Sequence, residues 1–161
     1  MSSKPQNASL AVGSKAPSFT LPGAAGATLS LAGFAGKKLV LYFYPKDDTS
    51  GCTAEAKDFN ALRAEFQAAG TEILGVSPDS PKSHDKFRDK YGLAFPLASD
   101  ESKAMLEAYG VWAEKSMYGR KYMGVERTTF LIGTDGAILR IWNKVKVPGH
   151  AEEVLKAARD A

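Results

Sequence analysis

Cys52 is the only cysteine in the 161-residue chain. It sits in the run Pro45-Lys46-Asp47-Asp48-Thr49-Ser50-Gly51-Cys52-Thr53-Ala54-Glu55, directly after the apolar segment Leu39-Val40-Leu41-Tyr42-Phe43-Tyr44. A helical pattern follows, with Phe59, Leu62 and Phe66 at the spacing of one helix face. The thiol therefore falls where a buried strand ends and a helix begins. The first turn of a helix has unpaired N–H groups and the positive end of the helix dipole, so it favours a thiolate over a thiol. An isolated free cysteine is most often a small buried hydrophobe. The strand–turn–helix setting instead assigns this one nucleophilic or redox chemistry.

The elements that must hold such a turn can be read along the chain. Ser18 to Leu21 and Thr28 to Leu31 flank the turn-rich Pro22-Gly23-Ala24-Ala25-Gly26-Ala27, the pattern of a short hairpin. The continuous apolar run from Lys38 to Tyr44 predicts a strand buried on both faces. A helix is expected from Thr53 to Ala69, stopped by Gly70, and a second strand from Thr71 to Ser77. Ser80-Pro81 reads as the cap and first residue of a helix reaching Tyr91. Asp100 is expected to open a further helix closed by Gly110. Arg127 to Ile132 and Ala137 to Trp142, joined through Asp135-Gly136, predict a β-hairpin, and a last helix runs from about Gly149. The first β-α-β unit requires parallel strands, and the late hairpin adds antiparallel ones. The outcome is an α/β chain of thioredoxin-like architecture: a mixed central sheet flanked by helices, preceded by an N-terminal β-hairpin.

Composition narrows the function. The net charge of +3 is small and both signs are interspersed, which argues against nucleic-acid or membrane binding. One cysteine cannot make an internal disulfide, and an unpaired thiol suits a reducing cytoplasm. Residues 1–161 read as one domain, with Met1 to Val12 a flexible terminus that lacks signal-peptide character. The sequon Asn7-Ala8-Ser9 has no secretory route to give it meaning. His84 falls on a polar helix face and His150 near the last helix start. Neither has metal-ligand spacing, and both are expected to face solvent. Trp112 and Trp142 are expected to pack the core or its edge. No cofactor or metal is called for.

The segment from Tyr42 to Ala56 resembles the active-site segment of peroxiredoxins, in particular the bacterioferritin-comigratory-protein/PrxQ subfamily. Further matching stretches are Gly13 to Phe19, Phe95 to Asp100, Tyr109-Gly110-Val111-Trp112 and Arg127 to Ile132. The resemblance implies a thiol peroxidase acting on hydrogen peroxide and organic hydroperoxides, with Cys52 as the peroxidatic cysteine. Thr49 and Pro45 match the other positions of the Pro-x-x-x-Thr-x-x-Cys signature, and Arg127 matches the family's active-site arginine. Glu55 also matches a family position, where it either favours the helix dipole or orients Arg127. Tyr44 is a supporting candidate. Relatives carry a resolving cysteine five residues after the first, here Lys57, or in the next helix, at the position of Arg88. Neither is cysteine here, so the resemblance implies a one-cysteine form whose sulfenic acid is reduced by an external thiol: glutathione, glutaredoxin or thioredoxin. It also implies a monomer or weak dimer, since nothing after the last helical face (Val154, Leu155, Ala158) resembles an extension that could reach a neighbour. A redox sensor or relay with little turnover is the alternative. A dithiol reductase is disfavoured because there is no Cys-x-x-Cys.

Overall fold

The computed structural model describes residues 10–161, so most of the expected flexible terminus and the Asn7 sequon lie outside the described residues. The centre of the fold is β3 (Lys38–Phe43), whose side chains after Lys38 are all buried. Their period-two alternation feeds two cores. Val40 and Tyr42 face one layer with Phe59, Phe66, Phe87 and Val154, while Leu39, Leu41 and Phe43 face another with Met105, Leu106, Val125 and Phe130.

Five strands form the main sheet in the order β5-β4-β3-β8-β9. β4 (Thr71–Ser77) runs parallel to β3, and β5 (Leu97–Ser99) runs parallel to β4. β8 (Thr128–Ile132) and β9 (Ile138–Trp142) add antiparallel strands, with β8 directly beside β3. The N-terminal hairpin is β1 (Thr20–Pro22) and β2 (Thr28–Ser30). The helices are α1 (Ser50–Ala61), α2 (Arg63–Ala68), α3 (Pro81–Tyr91), α4 (Ala104–Ala108) and α5 (His150–Asp160). This is the predicted mixed sheet with flanking helices.

Besides the short strand β5, which has no counterpart in the sequence reading, four details differ from it. The single helix expected from Thr53 to Ala69 is two helices, because the backbone turns at Leu62 (φ −99°, ψ 6°) so that α2 lies against β4 and α5. Asp100 does not open a helix. It is fully buried and its carboxylate accepts the Leu106 N–H at 2.8 Å, while α4 starts at Ala104, after Lys103 in the left-handed region. A second hairpin, β6 (Trp112–Met117) with β7 (Arg120–Val125), forms a separate two-stranded sheet that leads into Arg127.

The fourth difference concerns the histidines, which are both buried rather than solvent-facing. His150 is the first residue of α5. It shares a 2.9 Å hydrogen bond with Thr129 Oγ1 and packs edge-on against Phe59 and Trp142. Trp112 and Trp142 are half-buried and pack against the two cores, as expected. Burial pushes the His150 pKa from 6.5 down to about 4. The unfolded chain therefore binds a proton more readily across that window, and stability contributed here is lost as pH falls from about 6.5 toward about 4. His150→Gln should flatten that acid limb in urea unfolding. An equal loss of stability in both proteins would show that His150 does not set it.

Candidate active site

The site lies where β3 ends. Thr49 is the N-cap residue of α1, with extended backbone and no side-chain cap bond. The first bond of the helix runs from the Thr53 N–H to the Thr49 carbonyl at 2.8 Å. The N–H groups of Ser50, Gly51 and Cys52 precede it and point out of the helix end. Cys52 is 1% exposed, in the third helical position.

Arg127 comes from a part of the chain 75 residues away. Antiparallel pairing sets Phe43 opposite Thr128, so the end of β3 and the start of β8 lie side by side. Arg127 Nη2 is 3.4 Å from Cys52 Sγ, and Nη1 donates to Glu55 Oε1 at 2.6 Å. Burial works against the Arg127 charge, but Glu55 and Cys52 outweigh it and its pKa is raised, so the guanidinium stays charged. Space beside it is short: a Cβ on Gly51 would lie 3.3 Å from Arg127 Nη2.

Glu55 is 1% exposed, and burial pushes its pKa from 4.5 up to about 7 even though Arg127 opposes the rise. Its Oε2 has no hydrogen-bond partner among the described residues. The folded state holds this proton more tightly than the unfolded chain, so stability falls as pH rises from about 4.5 through about 7. Glu55→Gln should lose less stability than wild type across that window. Identical pH profiles in chemical denaturation would contradict the assignment.

Tyr42, read from sequence only as part of an apolar strand, belongs to this neighbourhood. Its hydroxyl is buried without a partner among the described residues. Burial first, then the negative charges of Glu55 and Cys52, raise its pKa well above the ordinary value, so it stays a neutral phenol. Gly75 on β4 makes room for the ring, since a Cβ there would come within 2.9 Å of Tyr42 Cζ.

The remaining predicted residues shape the loop. Pro45 is half-buried. The exposed Thr49 hydroxyl donates to the Lys46 carbonyl at 3.0 Å rather than to Cys52. Tyr44 is buried in the same core cluster as Cys52, with its hydroxyl donating to Asp47 Oδ1 at 2.5 Å. Asp48, in the left-handed region at φ 62°, accepts from Lys90 Nζ at 2.8 Å and the Tyr91 hydroxyl at 2.6 Å. Lys57 is exposed with its ammonium 6.0 Å from the Tyr91 ring centre, and Arg88 is half-buried.

A thiol at a helix N-terminus with a charged guanidinium fixed beside it is built to act as a nucleophile toward a molecule that develops negative charge. Residues 12–141 match the AhpC/TSA family. The putative peroxiredoxin bcp of Coxiella burnetii is 52% identical over 147 residues, covering 91% of this chain and 97% of that protein. Peroxiredoxin Q of Xanthomonas campestris is 51% identical, with a TM-score of 0.85 over 88% of this chain and 90% of that one. Xylella fastidiosa PrxQ is 41% identical, with a TM-score of 0.89 over 94% and 96%. The chain is a member of the AhpC/TSA family, in its peroxiredoxin Bcp/PrxQ branch. The Xanthomonas protein has also been solved with each of two cysteines replaced by serine, and their spacing, counted from Cys52, falls on Arg88. No described helix is long and apolar enough to cross a membrane.

Proposed function

We propose that this chain is a thiol-dependent peroxidase in which Cys52 is oxidised by the peroxide and regenerated by an external thiol. The observation that carries the reading is the Arg127 guanidinium 3.4 Å from a buried Cys52 Sγ at the start of α1. A structural study of the Xanthomonas campestris relative concerns its alkyl peroxide reduction activity, which supports organic hydroperoxides beside hydrogen peroxide as substrates.

The Cys52 thiolate attacks one peroxide oxygen. The S–O bond forms as the O–O bond breaks, and the second oxygen leaves as hydroxide or alkoxide and takes up a proton. Arg127 and the free N–H of Cys52 are the donors placed to stabilise those oxygens, and water is excluded by burial. Pro45 and Thr49 shape the approach, with the Thr49 hydroxyl turning from Lys46 to the peroxide. Glu55 holds the other guanidinium nitrogen, so Arg127 does not need to search for its orientation. The product is Cys52 sulfenic acid. One external thiol condenses with it, releasing water and leaving a mixed disulfide. A second thiol attacks that disulfide and frees Cys52. The first turn of α1 must open for either step, because Cys52 is 1% exposed.

The enzyme works as a monomer or weak dimer in a reducing cytoplasm, with glutathione, glutaredoxin or thioredoxin as reductant. A relay in which oxidised Cys52 passes its state to a partner protein is the second reading. The burial of a thiol that has no second cysteine favours it. Intact mass after one equivalent of peroxide should show one added oxygen, and with glutathione present a glutathionyl adduct instead. Fast oxidation with poor turnover by every thiol would select the relay. Cys52 remaining a free thiol would overturn both.

A further inference from the structure

His84 and Asp47 lie outside the catalytic steps above, yet both are buried polar groups, and His84 is completely so. His84 is 0% exposed and Asp47 is 8% exposed. His84 Nε2 is 3.0 Å from the Ala98 carbonyl, which can only accept, so Nε2 carries a hydrogen. His84 Nδ1 is 2.7 Å from Asp47 Oδ2. That carboxylate also accepts from the Ser83 hydroxyl at 2.8 Å and, through Oδ1, from the Tyr44 hydroxyl at 2.5 Å. Burial raises the Tyr44 pKa well above its usual value, so its hydroxyl remains a donor. The Asp47 carboxylate is thus met at once by the His84 ring, the Ser83 hydroxyl and the Tyr44 hydroxyl, which together fix its orientation.

Asp79 completes the surroundings. Its Oδ2 accepts from the Asp47 N–H at 2.8 Å and from the Ser77 hydroxyl at 2.7 Å. Asp47, Asp79 and His84 present ligand atoms within 4.8 Å of one another, the spacing of a metal site. Each of those atoms already has an internal hydrogen-bond partner, so the cluster is a closed protein network.

Its position gives it a function. Asp47 lies within the Pro45–Cys52 signature, two residues before the N-cap of α1. His84 lies on α3 and is tied to β5 through Ala98. We infer that His84 is a positioning residue for Cys52: its clasp on Asp47 fastens the loop to α3 and β5 and fixes where α1 begins. The pocket in which Arg127 meets the thiol is thereby held ready before peroxide arrives. The inference rests on the proposed peroxidase reading. The clasp is independent of the exposed Asp48 contacts to Lys90 and Tyr91, which water screens. It is the less exposed of the two fastenings, so salt and water screen it less.

The test measures two reactions of Cys52 in purified protein: oxidation by hydrogen peroxide in stopped flow, and alkylation by iodoacetamide. His84→Phe keeps a ring and removes both hydrogen bonds. The expected result is a peroxide rate lowered by at least about tenfold, as for loss of a preorganised catalytic contact, with alkylation unchanged or faster because the loop opens. A residue that serves stability alone would leave the peroxide rate unmoved in the folded variant at a temperature well below its unfolding transition. Asp47→Asn in the His84→Phe background should recover stability, since no unpaired buried carboxylate remains. It should slow the peroxide reaction no further, since both residues act through one contact. Should His84→Phe not fold, Ser83→Ala with His84→Asn weakens the same clasp, and the same two rates decide. Peroxide rates within twofold of wild type in folded variants would overturn the inference. If wild-type Cys52 itself fails to react, the peroxidase reading falls first, and the two failures are distinct.

Discussion

Cys52→Ser should leave less than about one hundredth of wild-type peroxide consumption, because a serine hydroxyl is not ionised at neutral pH and the chain has no other thiol to substitute for it. The fold should survive. The change is nearly isosteric, and a serine oxygen can accept the Arg127 N–H that the sulfur accepts now. Circular dichroism and the unfolding midpoint should therefore stay close to wild type while turnover disappears. Residual activity of several per cent in a preparation free of contaminating peroxidase would remove Cys52 from the centre of the mechanism.

Arg127→Met should slow oxidation of Cys52 by at least about tenfold, and more if the guanidinium is the main donor to the leaving oxygen. It should also cost stability. Glu55 is almost fully buried and its Oε1 would lose its one partner among the described residues, leaving a carboxylate that must either take up a proton or open the helix. The two effects can be separated. Glu55→Gln in the Arg127→Met background should restore much of the stability and none of the rate. A stopped-flow rate within twofold of wild type in Arg127→Met would place the arginine outside the chemistry, whatever happened to stability.

Much of this site is legible in the sequence because its signals are local. The apolar run of β3, the punctuated loop from Pro45 to Thr49 and the helical spacing after Cys52 lie within thirty residues of chain. The hairpin β8–β9 and the helix α3 are equally readable from Asp135-Gly136 and Ser80-Pro81. The geometric link from Glu55 to Arg127 is different. The sequence leaves two roles open for Glu55, and only the strand register that brings Arg127 alongside shows the hydrogen bond.

The misreadings have several physical causes, the first of which is a partner far along the chain. Lys82, Ser83, Asp85 and Lys86 make the neighbourhood of His84 look like a solvated face, yet its acceptors come from the loop after β3 and from β5. Asp100 resembles a helix cap, but the N–H it accepts belongs to Leu106. The hairpin β6–β7 gave no signal because neither of its faces is consistently buried, so its residues show no apolar alternation. Its turn uses Tyr118 at φ 53° before Gly119 at φ 77°, where Asn or Asp is the usual cue. β5 is three residues long and fully buried, too short to carry a period.

The antiparallel pairing of β3 with β8 has a further consequence for quality control. Arg127 reaches the thiol only in the register that sets Phe43 against Thr128. A slip of one residue would turn each β8 side chain to the opposite face of the sheet. A copy of the chain that misassembled in this way would bury its cysteine without a cation and should react with peroxide at least about tenfold more slowly, as expected for Arg127→Met. The rate of peroxide consumption is thus a check on correct assembly, since it reports that two neighbouring strands, distant in sequence, have met in the right register.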